Sequence, residues 1–133
     1  MDTNQMVVTK PEPKIEDGKQ LVKVLDQKGL HPETVMWFYI TESNVWRLII
    51  STSAFNKQPS EKYYSDFVSK YKDLKPIKNI RLENVTLLPT THALIKLLKF
   101  AVKTAPNSIS GIRFTSNTIN NVFIDDAYIY RNS

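Results

Sequence analysis

The chain contains no cysteine. Disulfides, thiolate metal sites and a cysteine nucleophile are therefore excluded together, and the composition fits a reducing compartment. Glycine is scarce: Gly18, Gly29 and Gly111 stand alone, too scattered for a dinucleotide fingerprint or a phosphate-cradling loop. No G-x-S-x-G elbow is present either. The two histidines, His31 and His92, lack an HxH or HxxxH partner, so neither a metal nor a cofactor is expected. No apolar run approaches the ~20 residues that span a bilayer. The first residues, Met1-Asp-Thr-Asn-Gln-Met-Val-Val, lack the basic-then-apolar order of a signal peptide. A soluble, cytoplasmic protein without membrane contact is the expectation. Acidic residues are also missing from one long stretch. Between Asn84 and Ile124 there is no Asp or Glu, while Lys96, Lys99, Lys103 and Arg113 supply +4 of the net +5.

What is present suits one folded domain. A chain of 133 residues buries a single core without staples, and 41% hydrophobic with 23% charged residues argues against wholesale disorder. Residues 1–13 are polar, with Pro11 and Pro13, and read as a flexible arm or an edge strand through Met6-Val7-Val8. Residues 14–133 read as a single α+β domain.

A helix fits Lys14–Lys28, with Ile15, Val22 and Leu25 on one stripe and Gly18 beside them as a close-packing point. Gly29 is placed to end it, and Pro32 prevents continuation. Thr34–Thr41 and Val45–Ser51 then read as a hairpin around Glu42-Ser43-Asn44. With Ser43-Asn44 as the loop, one face collects Trp37, Tyr39, Trp46, Leu48 and Ile50. The other collects Met36, Phe38, Ile40, Arg47 and Ile49. Apolar groups on both faces place the pair under helices on both sides, the alternative being an open aromatic face that binds a partner.

Ser60 reads as the N-cap of a second helix reaching Leu74, with Tyr64, Phe67, Val68, Tyr71 and Leu74 as its stripe and Pro76 as its stop. Ile80–Leu88 reads as a strand broken near Glu83-Asn84. A third helix fits His92–Thr104, and a final hairpin turns at Asn120-Asn121. The order α-β-β-α-β-α-β-β implies a mostly antiparallel sheet of about five strands carrying about three helices.

Three groups of residues are candidate sites. His92, Lys96, Lys99 and Lys103 fall within roughly 60° on the third helix, a stripe suited to a nucleic-acid backbone. In the last hairpin, a two-residue loop sets Asp126 opposite Thr115 and Tyr128 opposite Arg113. Arg113 and Asp126 are then diagonal neighbours beside Tyr128 and Tyr130, which is either a structural ion pair or a small polar binding surface. Trp37, Tyr39 and Trp46 are the third group, aromatic anchors of the kind that interfaces use.

Val35–Tyr39, Trp46-Arg-Leu-Ile-Ile, Ser110-Gly-Ile-Arg-Phe and Ile124-Asp-Asp-Ala-Tyr-Ile-Tyr-Arg131 resemble a group of small uncharacterised bacterial proteins of similar length. The resemblance implies a bacterial, stand-alone domain and no particular activity, ligand or functional residue. From the residues, the leading expectation is a non-enzymatic module that binds another protein or forms a homo-oligomer. A nucleic-acid-binding domain using the lysine stripe comes second, and a small enzyme using the Arg113, Asp126 and Tyr128 cluster third.

Overall fold

A strand pair with apolar side chains on both faces needs cover on both faces, and the computed structural model supplies it. The structure describes residues 10–133, so the strand expected at Met6-Val7-Val8 lies outside the described residues. Helix α1 (Ile15–Gln27) buries Gly18, Leu21, Val22 and Leu25. It ends in a Schellman cap: Gly29 sits at φ 88, and the amides of Gly29 and Leu30 bond the carbonyls of Asp26 and Leu25.

Strands β1 (Thr34–Ile40) and β2 (Val45–Ser51) are antiparallel, with Trp37 opposite Leu48 and Tyr39 opposite Trp46. Ile40 pairs with Val45, so the turn is four residues long rather than two. The slip of two residues leaves every side chain on its expected face.

A 3-10 turn (Ser53–Phe55) leads to α2 (Ser60–Tyr71), whose N-cap is Pro59 rather than Ser60. Its buried stripe is Tyr63, Phe67 and Tyr71, while Tyr64, expected inside, is exposed. Phe55 explains the choice: its ring stacks on Tyr63 at 4.5 Å and 19°, so the turn before the helix decides which tyrosine faces inward. Pro76 does not stop this helix. It occupies the first turn of a further one, α3 (Lys75–Ile80), where a missing N–H costs nothing. Ile80 therefore closes α3, and only Val85–Leu88 of the expected strand extends, as β3.

The helix expected at His92–Thr104 is also shorter. Helix α4 (Ala93–Leu98) ends because Val102 buries against the sheet and the following chain bonds the last strand. Thr104 donates to the Asn132 carbonyl and Asn132 Nδ2 donates to that of Val102. Strands β4 (Ile112–Ile119) and β5 (Val122–Asn132) turn at Asn120 and Asn121, with φ 48 and 68, the paired positive angles of a type I′ hairpin.

Among the described residues the order is α-β-β-α-α-β-α-β-β, one helix more than expected. The five strands form one mixed sheet in the order β3-β2-β1-β5-β4. Only the β2–β3 pairing is parallel. One face packs Trp37, Leu48, Ile50 and Tyr130 against α1, α2 and α3. The other packs Met36, Ile49, Ala127 and Ile129 against Ile95 and Leu98 of α4. In the β1–β5 ladder, Val35 pairs with Arg131 but Met36 with Ile129. Tyr130 is thus a bulge residue, and it and Arg131 both turn towards α1. Tyr130 donates to the Ile15 carbonyl at 2.6 Å. The fully buried Arg131 grips Asp26 through two nitrogens at 3.0 and 2.7 Å.

Candidate functional site

The last hairpin and the segment 10–14 build the richest polar cluster. Its register is the expected one, with Thr115 opposite Asp126 and Arg113 opposite Tyr128. The diagonal pair forms a bidentate bridge: Arg113 Nε donates to Asp126 Oδ1 at 2.6 Å and Nη2 to Oδ2 at 2.7 Å. Asp126 itself is buried. The ladder skips the step between Ser116, at φ 46, and Asp125. That irregularity lets two successive carboxylates reach one ammonium. Lys10 Nζ lies 2.7 Å from Asp125 Oδ1 and 3.4 Å from Asp126 Oδ2. Glu12 meets Arg113 at 3.4 Å, and Thr41 donates to Asp125 at 3.1 Å.

Aromatic rings floor the cluster. Lys10 Nζ sits 5.1 Å from the centre of the Tyr39 ring, and the Arg113 guanidinium 5.5 Å from that of Trp46, both within cation–π reach. Trp46 Nε1 donates to the Pro11 carbonyl at 2.5 Å. Tyr128 and Tyr130 meet edge to face at 5.2 Å, and Trp37 Nε1 donates to the Tyr130 hydroxyl at 3.1 Å. Segment 10–14 is thereby strapped across the end of the sheet. Between the strap and Trp37, Ile80 and Asn84 lies a shallow cleft of about 340 Å³.

Electrostatics set the character of the site. Burial works to raise the Asp126 pKa, but Arg113 and Lys10 outweigh it and hold the carboxyl below its usual range. The hydrogen bond from Lys10 lowers Asp125 in the same way. Lys10 is raised by its bond to Asp125, and Arg113 by its bond to Asp126. Burial raises the Tyr130 hydroxyl. Every shift runs away from neutrality, and two cations are matched by three carboxylates. Such a set fastens a segment firmly and offers little to a proton transfer near pH 7.

Arg113, Asp126, Tyr128 and Tyr130 are thus brought together as expected, with Trp37, Tyr39 and Trp46 joined to them. The open aromatic face is corrected: Trp37, Tyr39 and Trp46 are 3%, 5% and 7% exposed, because the strap and helices cover them. Lys10, Glu12 and Asp125 were not legible as partners. The signal that could have pointed to them is Pro11 and Pro13, which stiffen a charged segment that a free arm would not need stiffened.

The lysine stripe does not persist as one helical row. His92 is the N-cap of α4, its Nδ1 accepting from the Leu94 amide at 3.1 Å. Lys96 stands exposed on the helix, Lys99 is the C-cap and Lys103 lies beyond the end. Among the described residues, no three His, Asp or Glu side chains gather as metal ligands, and no helix is long and apolar enough to cross a membrane. Comparison with family models, curated proteins and solved structures finds no match to this chain.

Proposed function

We propose that this protein is a non-enzymatic interaction module that self-associates through the outer edge of β4, two copies pairing antiparallel about a two-fold axis. The observation that carries this reading is the edge itself. Among the described residues nothing pairs with the outer side of β4, and its sequence, Ile112-Arg-Phe-Thr-Ser-Asn-Thr-Ile119, holds no lysine, carboxylate or proline to guard it. Its one charge, Arg113, is already bound to Asp126. Apolar surface adjoins the edge: Val122 and Phe123, opposite Ile119 and Thr118, are 45% and 60% exposed. A backbone ladder flanked by apolar side chains suits an isologous contact, in which one patch meets itself. The irregularity at Ser116, with φ 46, divides the edge, and the apolar flank of Val122 and Phe123 favours pairing centred on Asn117–Ile119.

Sedimentation of the full chain across micromolar to millimolar concentration tests the reading. A concentration-dependent dimer is expected, and Thr118→Pro, whose amide faces away from β5, is expected to leave a folded monomer. A wild-type chain that stays monomeric throughout would sink it. Nucleic-acid binding by Lys96, Lys99 and Lys103 has less support, since those residues no longer share one helix face. Catalysis by Arg113, Asp126 and Tyr128 has less again, since their charges are spent on one another.

A further inference from the structure

A cavity of about 120 Å³ lies between the 3-10 turn, the end of α1 and the inner face of α2. Its walls are aromatic. Phe55 and Tyr63 stack at 4.5 Å, and Phe67 and Tyr71 meet edge to face at 5.0 Å, and all four side chains line it. Apolar cavities of about 150 Å³ hold a benzene ring, so a single ring is the size of guest this one takes. The wall also contains Gln58, whose Oε1 is buried without a hydrogen-bond partner. An unpartnered buried acceptor is costly, and a donor carried by a guest that reached it would relieve it.

The charge at the mouth selects further. Lys70 and Tyr71 line both this cavity and a neighbouring depression, which Lys28 completes. Neither Lys28 nor Lys70 makes a salt bridge among the described residues. The carboxylate on the same rim, Asp66, is already paired with Lys62 at 3.5 Å. Aromatic walls, an internal acceptor and two free ammonium groups outside form a graded site of the kind small molecules use.

We propose that this cavity binds a small planar aromatic anion. Its ring lies among Phe55, Tyr63 and Phe67, a ring hydroxyl donates to Gln58, and its anionic group faces Lys70 and Lys28. The site shares no residue with the β4 edge, and neither needs the other.

Titration of the full-length ¹⁵N-labelled protein tests it, with three probes that share the ring hydroxyl: 4-hydroxyphenylacetate, 4-hydroxyphenyl phosphate and neutral 4-cresol. Saturable amide shifts confined to 54–71 and to the end of α1 are expected with the two anions at millimolar concentration. Whichever anion binds tighter identifies the group as carboxylate or phosphate. Lys70→Glu, on an exposed side chain, is expected to weaken the anions about tenfold and 4-cresol far less. Ala54→Phe, at an exposed residue on the cavity wall, is expected to block all three while leaving a dispersed spectrum. Absence of saturable shifts with every probe would overturn the site. Equal loss of anion and cresol binding in Lys70→Glu would overturn the role given to the lysines, whether or not Ala54→Phe folds.

Discussion

Gly18 sits where two effects oppose each other. Replacing a helical glycine with alanine gains up to about 1 kcal/mol of propensity. Here, however, the new Cβ would collide with the Tyr130 hydroxyl and ring. That ring cannot swing aside, because its hydroxyl is held by Ile15 and Trp37. Overpacking of this kind costs about 1–3 kcal/mol, so the clash wins. Gly18→Ala is expected to lower stability by about 1–2 kcal/mol in a denaturant titration, and a stabilised variant would refute the close packing. Asp126 supports a second expectation. Its folded pKa lies below its usual value, so its stabilisation is complete above the unfolded value of about 4 and is lost as pH falls through the folded one. The stability gap between wild type and Asp126→Asn should therefore be widest at neutral pH and close as the pH falls below about 4. A gap that does not change with pH would show that the bridge adds nothing.

At the scale of elements, proline and chain length decided what periodicity alone could not. Pro76 reads equally well as a stop or as a first-turn residue. Only the burial of Ile77 and Ile80 against α1 makes it a start. Pro76→Ala is accordingly expected to change stability by no more than about 0.5 kcal/mol, whereas Ile77→Ala should cost about 2–5 kcal/mol. Comparable losses at both positions would mean that the proline has a further role. The last hairpin was legible to the individual pair, because two asparagines accept positive φ and a two-residue loop sets the register. Helix α4 was not, because its end depends on Asn132, more than thirty positions away in sequence.

For the whole molecule, both cores share one sheet. β1, β2 and β5 supply side chains to each, so neither face can open without exposing the back of the other. Unfolding is expected to be a single transition, with tryptophan fluorescence, which reports the α1–α3 face through Trp37 and Trp46, coinciding with far-ultraviolet circular dichroism. Separate midpoints would show that the thin cover provided by α4 melts first.

Local chemistry carries the α+β class, the first hairpin's two faces, the Gly29 cap and the Asn120-Asn121 turn. Each depends on neighbours close in sequence: side-chain alternation, a positive φ, a missing amide proton. Tertiary structure alone decided the remainder. Tyr63 rather than Tyr64 turned inward because Phe55 was there to stack on it. The Tyr130 bulge sent Arg131 to Asp26, and the strap at 10–14 covered aromatics that alternation left available on both sides. These outcomes turn on which of several equally apolar or equally charged groups meet across the fold. That competition is settled by packing and by ion pairs between residues about a hundred positions apart.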